Sequence, residues 1–425
     1  MLRKGETIMK KSKYNIEHLY KNSLIIYNTL SGSVIRLDAP HSRMYNNPNA
    51  WSTDENFILN MKRGNFIVPD EVDELNLILN TSNNSRKKSN IGAYTIAPTL
   101  ECNFCCPYCF EPSHKKNIMT AETANAVVEY IKKDIDDNNY EGVEITWYGG
   151  EPLLALPVIE TISMAVMNFT KKYAANIVTN GFYLNRETSE RLKQLNVKSA
   201  QVTIDGPPEV HNKRRRLPSG EDTFYKILSN IIEASDLIDI IIRINVDKSN
   251  IAEIDRLIDI FDSYDLRNRI SVYLAAVENI NGTYSSPELC MENISFSELE
   301  VKFAREHNGK GYFRPFLPGF NPSICGAVCD WAKVFDSKGN LYKCWNEIGN
   351  LTKSYDSIFS TEKRNSSVWS NYSLDNFADC LECIFLPLCM GGCPYERLQG
   401  KKNNCISIKE NCESMLELLA ENFTK

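Results

Sequence analysis

This 425-residue sequence has no excess of positive charge: 48 basic side chains stand against 54 acidic ones, for a net charge of -6. Without a cationic field to draw in a phosphate backbone, nucleic acid is a poor first partner. Long apolar runs are also missing. No segment reaches the roughly eighteen consecutive apolar residues of a membrane span, and the basic start, MLRKGETIMKKSKYN, is not followed by the apolar run of a secretory signal. The expectation is a cytoplasmic enzyme with no nucleic-acid or membrane partner. With 43% hydrophobic and 24% charged residues, the chain should fold rather than stay disordered, and its length allows two or three domains.

Cysteine, by contrast, is plentiful: there are fourteen. In a reducing compartment clustered thiols read as metal or cluster ligands rather than disulfides, while isolated ones such as Cys290 read as buried or loop thiols. Three regions divide the chain. In residues 1–90, SLIIYN and SVIRLD joined at TLSGS predict a hairpin, GNFIVPDEVDELNLIL a strand passing into a helix, and the polar run Asn80 to Asn90 a linker. In residues 91–278 strands and helices alternate. Strands are expected at GAYTIAPT, GVEITWYG, ANIVTN, SAQVTID, IDIIIRINV and ISVYLAA. Helices are expected at Ala121 to Ile135, Pro157 to Lys171, Arg186 to Gln194, Phe224 to Ser235 and Ile254 to Tyr264. Such repetition predicts an α/β fold with a parallel sheet, either open or a closed or partial barrel. Residues 279–425 are less regular and hold ten of the cysteines; their tail carries an apolar stripe, Ile408, Cys412, Met415, Leu419 and Phe423, at helical spacing.

Directly after the first alternating strand stands LECNFCCPYCFEP, in which Cys102, Cys106 and Cys109 form C-x3-C-x2-C. A structural zinc site usually shows paired C-x2-C knuckles and four ligands, whereas here three thiols stand alone with Cys105 awkwardly adjacent to Cys106. A four-iron cluster on three thiolates leaves one iron without a protein ligand. The loop, with Tyr108 before the last cysteine, resembles the signature of the radical S-adenosylmethionine (radical SAM) enzymes. The resemblance implies that the open iron chelates the methionine moiety of S-adenosyl-L-methionine and that the reduced cluster cleaves it to a 5'-deoxyadenosyl radical. It further implies contact of Tyr108 with adenine and no ligand role for Cys105.

Later motifs extend the resemblance. Gly149, Gly150 and Glu151 in WYGGEPLL are similar to the family's glycine-rich turn for the cofactor's amino group; glycines allow backbone approach, and a carboxylate suits an amine. TNG at Thr179 to Gly181, TIDGPPEVHNKRR at Thr203 to Arg215, and RINVDKSN with Arg243 and Asn245 fall at successive strand ends, where a barrel carries its site. The resemblance implies a partial (β/α)6 TIM-like barrel in which Thr203 and Arg215 hold the cofactor carboxylate and Asn180 and Asn245 face the ribose. For Arg214 to Arg216 a solvated charge run is the competing reading.

In the C-terminal region, CLECIFLPLCMGGC gives Cys380-x2-Cys383-x5-Cys389-x3-Cys393, and GNLYKC gives Gly339-x4-Cys344. This resembles the SPASM extension, which carries two auxiliary 4Fe-4S clusters and would bring the total to three. Ligation carried over from that family assigns Cys325, Cys329, Cys344 and Cys393 to one cluster, with a three-cysteine cluster without Cys329 left open. Cys380, Cys383 and Cys389 go to the other with a later thiol, Cys405 in preference to the helix-borne Cys412. A zinc ribbon is the alternative, but Cys380 and Cys383 make one C-x2-C pair where two would be expected.

Residues 1–90 are vaguely similar to the winged-helix domain by which peptide-modifying enzymes recognise a leader, strand addition being the mode of binding; a packing extension is the competing reading. The combined expectation is a maturase of a ribosomally made precursor peptide that installs a thioether or carbon-carbon cross-link, supplied with electrons by a donor such as flavodoxin or ferredoxin. Glu347, behind Cys344 in KCWNEIG, is a candidate catalytic base or a surface carboxylate. An anaerobic sulfatase-maturing enzyme and an iron-sulfur electron-transfer or scaffold protein are the alternatives.

Overall fold

The computed structural model describes residues 8–422 apart from 112–116, 171, 308–311, 313–316, 324, 361–367 and 402–404. Lys171 and Phe423, the ends of an expected helix and of the apolar stripe, lie outside the described residues.

The N-terminal unit comprises β1 (Met9–Lys11), β2 (Asn15–Tyr20), β3 (Ser23–Asn28), β4 (Val34–Leu37), α1 (Ala39–Tyr45), α2 (Glu55–Arg63), β5 (Ile67–Pro69) and α3 (Glu74–Lys87). The expected hairpin is β3–β4, with Tyr27 opposite Val34; β2 pairs with the other side of β3, and β1 pairs with β5. Both faces of β3 are buried. Because side chains alternate along a strand, Leu24 and Ile26 enter a local core with Tyr45, Trp51 and Phe57, while Ile25 and Tyr27 pack against the chain's last helix. The expected linker from Asn80 is mostly α3. Asp73 caps that helix by accepting from the Asn76 N–H, Ile78 and Ser82 are buried, and the Arg86 guanidinium donates to the Val328 and Tyr372 carbonyls.

The alternating region follows the expected order closely: β6 (Ile91–Ile96), α4 (Ala121–Asn138), β7 (Gly142–Trp147), α5 (Leu156–Phe169), β8 (Tyr173–Thr179), α6 (Arg186–Gln194), β9 (Val197–Thr203), α7 (Pro208–Arg214), α8 (Phe224–Ala234), β10 (Asp239–Val246), α9 (Ile254–Ser263) and β11 (Ile270–Ala276). Strands β6 to β11 are parallel and neighbour one another in sequence order. Buried β-branched and aliphatic residues such as Ile145, Ile177, Val202 and Ile242 meet the helices in one core; each contributes about 1.5–3 kcal/mol by leaving water. Helix α5, with its preceding turn, is apolar enough by length and composition to cross a membrane, but Ile159, Ile162 and Val166 are buried in that same core.

The C-terminal region adds α10 (Asn293–His307), β12 (Ala332–Phe335), β13 (Asn340–Tyr342), β14 (Asp356–Ser357), the short helices α11 (Ala378–Leu381), α12 (Leu386–Cys389) and α13 (Pro394–Leu398), and α14 (Ile408–Asn422). It is not a detached unit. Strand β12 lies parallel to β6 and extends the parallel sheet to the order β11-β10-β9-β8-β7-β6-β12-β13-β14, open between β11 and β14 and consistent with the expected partial barrel.

Candidate active site

The C-terminal ends of the parallel strands surround a cavity of about 370 Å³. Cys102, Cys106 and Cys109, on the loop after β6, line it together with Tyr108, Gly149, Gly150, Asn180, Thr203, Arg215 and Asn245. Cys105 points away, its thiol 3.5 Å from the Arg216 carbonyl. Burial pushes the Cys102 and Cys106 thiols above their ordinary range and Cys109 up to about 12. Such thiols become thiolates against the charge of a bound metal.

The Tyr108 hydroxyl is a junction. It meets the Asp205 carboxylate and accepts from Arg215 Nη1 at 3.0 Å and Asn245 Nδ2 at 3.4 Å. Behind it Arg214 pairs with Asp205 at 3.2 Å and Asp247 at 2.7 Å, its guanidinium carbon 5.0 Å from the Tyr108 ring centre. The solvated-run reading of Arg214 to Arg216 therefore holds for Arg216 alone, since Arg214 and Arg215 are buried. Helix α7, which was not expected, turns both of them inward.

Two expected contacts are already taken up within the protein. Glu151 is fully buried behind the cavity, and its carboxylate accepts from Leu153 N at 3.0 Å, Thr179 Oγ1 at 2.7 Å and Asn180 N at 2.7 Å. It ties β7 to β8 where an amine-facing position was expected. Asn180 donates to Asn103 Oδ1 and accepts from Phe182 N, so it braces the cysteine loop. The two glycines also serve that loop. A Cβ on Gly149, at φ +111°, would lie 2.2 Å from the Thr99 carbonyl oxygen, and one on Gly150 2.4 Å from that of Glu101. Backbone approach is needed there, and what approaches is the start of the cysteine loop.

The C-terminal thiols fall into two groups. Cys325, Cys344 and Cys393 pack around one apolar cluster that includes Trp369 and Tyr395. Cys329 is buried outside that cluster, its thiol 3.4 Å from the Cys325 carbonyl. Cys380, Cys383, Cys389 and Cys405 line a second cavity of about 290 Å³, where Arg397 and Lys409 each bring a nitrogen near a sulfur, at 3.5 and 3.6 Å. Cys412 lies in the core beside Tyr27 and Leu416. Glu347 is buried, against the surface-carboxylate reading, and does not line the main cavity; it accepts from the Cys344 N–H at 3.2 Å and from the Trp369 indole at 3.1 Å, and so braces the Cys344 turn. Sequence reasoning passed over Asp205, Asp247 and Glu111, buried carboxyls that carry no spacing signal.

A family model of the radical SAM superfamily matches residues 96–261, which covers the cysteine loop and strands β7 to β10. The chain is a radical SAM enzyme. Radical SAM enzymes use S-adenosyl-L-methionine and a 4Fe-4S cluster, and the main cavity fits that pair: all three thiols line it, and the buried Nε of Arg215 has no partner among the described residues. The radical SAM enzyme is 26% identical to a cysteine-type anaerobic sulfatase-maturating enzyme of Clostridium novyi (strain NT) over 76% of this chain and 93% of that one. It superposes on anSMEcpe, solved with AdoMet and the Kp18Cys peptide, with a TM-score of 0.59 at 18% identity, covering 79% of this chain and 100% of that one. On SuiB of Streptococcus suis, solved with its precursor peptide SuiA, the TM-score is 0.54 at 15% identity, covering 94% and 98%.

Proposed function

We propose that this enzyme is a maturase of a ribosomally made precursor peptide, installing a thioether or carbon-carbon cross-link. When bound, the reduced cluster and S-adenosyl-L-methionine supply hydrogen-atom abstraction from an unactivated carbon. Cys102, Cys106 and Cys109 would hold the cluster, and Gly149, Gly150, Thr203, Arg215 and Asn245 would border the cofactor. The observation that carries the reading is the N-terminal unit packed on the C-terminal thiol region, with Tyr14 and Ile78 against Leu386 and Met390 and with Ile25 and Tyr27 against Leu416. Its three-stranded sheet leaves one side of β2 and one side of β4 unpaired among the described residues, and an extended leader can add there as a strand. The SuiB superposition, which covers 94% of the chain against 79% for anSMEcpe, supports the same reading.

Two auxiliary 4Fe-4S clusters belong to the proposal, one on Cys325, Cys344 and Cys393 and one on Cys380, Cys383, Cys389 and Cys405. The four thiols around the second cavity suit a closed cluster. Arg397 and Lys409 stand where they would stabilise its added electron. Cys329 would have to turn from the Cys325 carbonyl to join the first. A flavodoxin- or ferredoxin-type donor in the cytoplasm would supply the reducing electron.

A second reading, formylglycine formation on a sulfatase, is favoured by the Clostridium novyi relative, which matches over nearly its whole length. Mass spectrometry separates the two. The anaerobically reconstituted enzyme, screened against the peptides of short reading frames that neighbour its gene, should return a product two hydrogens lighter that is silent to hydrazine. A sulfatase peptide converted to a hydrazine-reactive aldehyde, with the precursor untouched, contradicts the proposal.

A further inference from the structure

Glu111 follows the cysteine loop by two residues and lines the main cavity. It is 7% exposed, and neither carboxyl oxygen has a hydrogen-bond partner among the described residues. Buried carboxylates in folded proteins are almost always paired or hydrogen-bonded, because losing water is far costlier for a charge than for an apolar group. The described arginines around the cavity are engaged elsewhere. Arg214 is held by Asp205 and Asp247, Arg215 by Tyr108, and Arg243 by Asn245 Oδ1 at 2.7 Å and the Tyr273 hydroxyl at 3.4 Å. Glu278, at the rim of the same cavity, forms no ion pair among the described residues either. Two carboxyl groups that form no ion pair among the described residues, Glu111 buried and Glu278 exposed at the rim, therefore line one space.

The wall beside Glu111 is aromatic. The Phe110 and Tyr148 rings stack with centres 6.3 Å apart, and Trp345 lies 4.5 Å from Tyr148; all three line the cavity. A carboxylate next to exposed π-faces suits a side chain with an apolar stem and a positive head, since the stem covers the rings while the head meets both the carboxylate and the ring faces. An anionic ligand would be repelled, and a purely apolar one would leave the carboxylate unpaired. We propose that Glu111 is a substrate-binding residue that receives the ammonium or guanidinium of a lysine or arginine side chain of the peptide, with the stem lying along Phe110, Tyr148 and Trp345. The inference rests on the reading of this cavity as the reaction chamber of a peptide-modifying enzyme.

Equilibrium dialysis of the reconstituted full chain with S-adenosyl-L-methionine, against n-butylammonium, n-butylguanidinium, pentanamide and pentanoate, tests it. Both cations should bind at least about tenfold more tightly than the amide, the gain expected of one charge-assisted hydrogen bond, and pentanoate most weakly. Glu111→Gln should erase the preference for cations while still binding the amide, which shows that the cavity is intact. An amide that binds wild type as tightly as the cations do overturns the inference, whether or not the variant folds; so does a preference that survives in Glu111→Gln. The same preparation is assayed for 5'-deoxyadenosine after reduction with dithionite. Cleavage without a cation preference overturns this inference alone, whereas absence of cleavage in fully loaded protein removes the chamber reading and the inference with it.

Discussion

In the barrel, Asn180, Thr203 and Asn245 stand at or beside the ends of strands whose registers run over five to seven paired residues. In the C-terminal region, Cys380 and Cys389 sit on helices of four residues each, Cys383 between those helices, and Cys405 in the irregular stretch before α14. A ladder of backbone hydrogen bonds fixes a strand end before any ligand arrives. A four-residue helix cannot nucleate on its own account and has to be held by its surroundings. The parallel sheet thus presents a formed cavity, braced by Glu151, Asn180 and the Tyr108 junction, whereas the C-terminal thiols, as the ligands proposed above, would depend on a bound metal for part of their order.

The largest expected effect on that contrast comes from removing the metal. Anaerobic chelation should release amide protection across residues 378–398 while β6 to β11 stay protected, as read by hydrogen exchange; equal loss in both regions would break the comparison. Within the barrel, Arg214→Met leaves Asp205 and Asp247 buried without their cation, and denaturant titration should show a loss of about 3–5 kcal/mol. The smallest effect belongs to the paired cysteines: Cys405→Ser should cost iron, whereas Cys412→Ser should retain full iron and lose about 1 kcal/mol from the core it shares with Tyr27.

The same contrast governs how much was legible beforehand. Strands such as IDIIIRINV announce themselves because a strand buried on both faces is nearly all β-branched, and β10 (Asp239–Val246) starts one residue after the expected position. Motif spacing brought seven further residues to the cavity along with the three cysteines. What failed was tertiary in origin. The polar run after Asn80 is helical because Arg86 is anchored on Val328 and Tyr372, more than 240 residues away in sequence. Arg214 is buried because two aspartates from other strand ends await it. Glu151 and Glu347 were placed by position in a motif, while their carboxylates had nearer donors in the Asn180 and Cys344 N–H groups. Local sequence does not state which donor reaches a carboxylate first.

The most direct measurement is the 5'-deoxyadenosine released from S-adenosyl-L-methionine by dithionite-reduced protein, wild type against a variant with Cys102, Cys106 and Cys109 all changed to alanine. The wild type should form it, and the variant should form none while keeping the iron bound by its C-terminal thiols. Cleavage that persists in the variant, or that fails in iron-replete wild type, would contradict a radical chemistry centred on that loop.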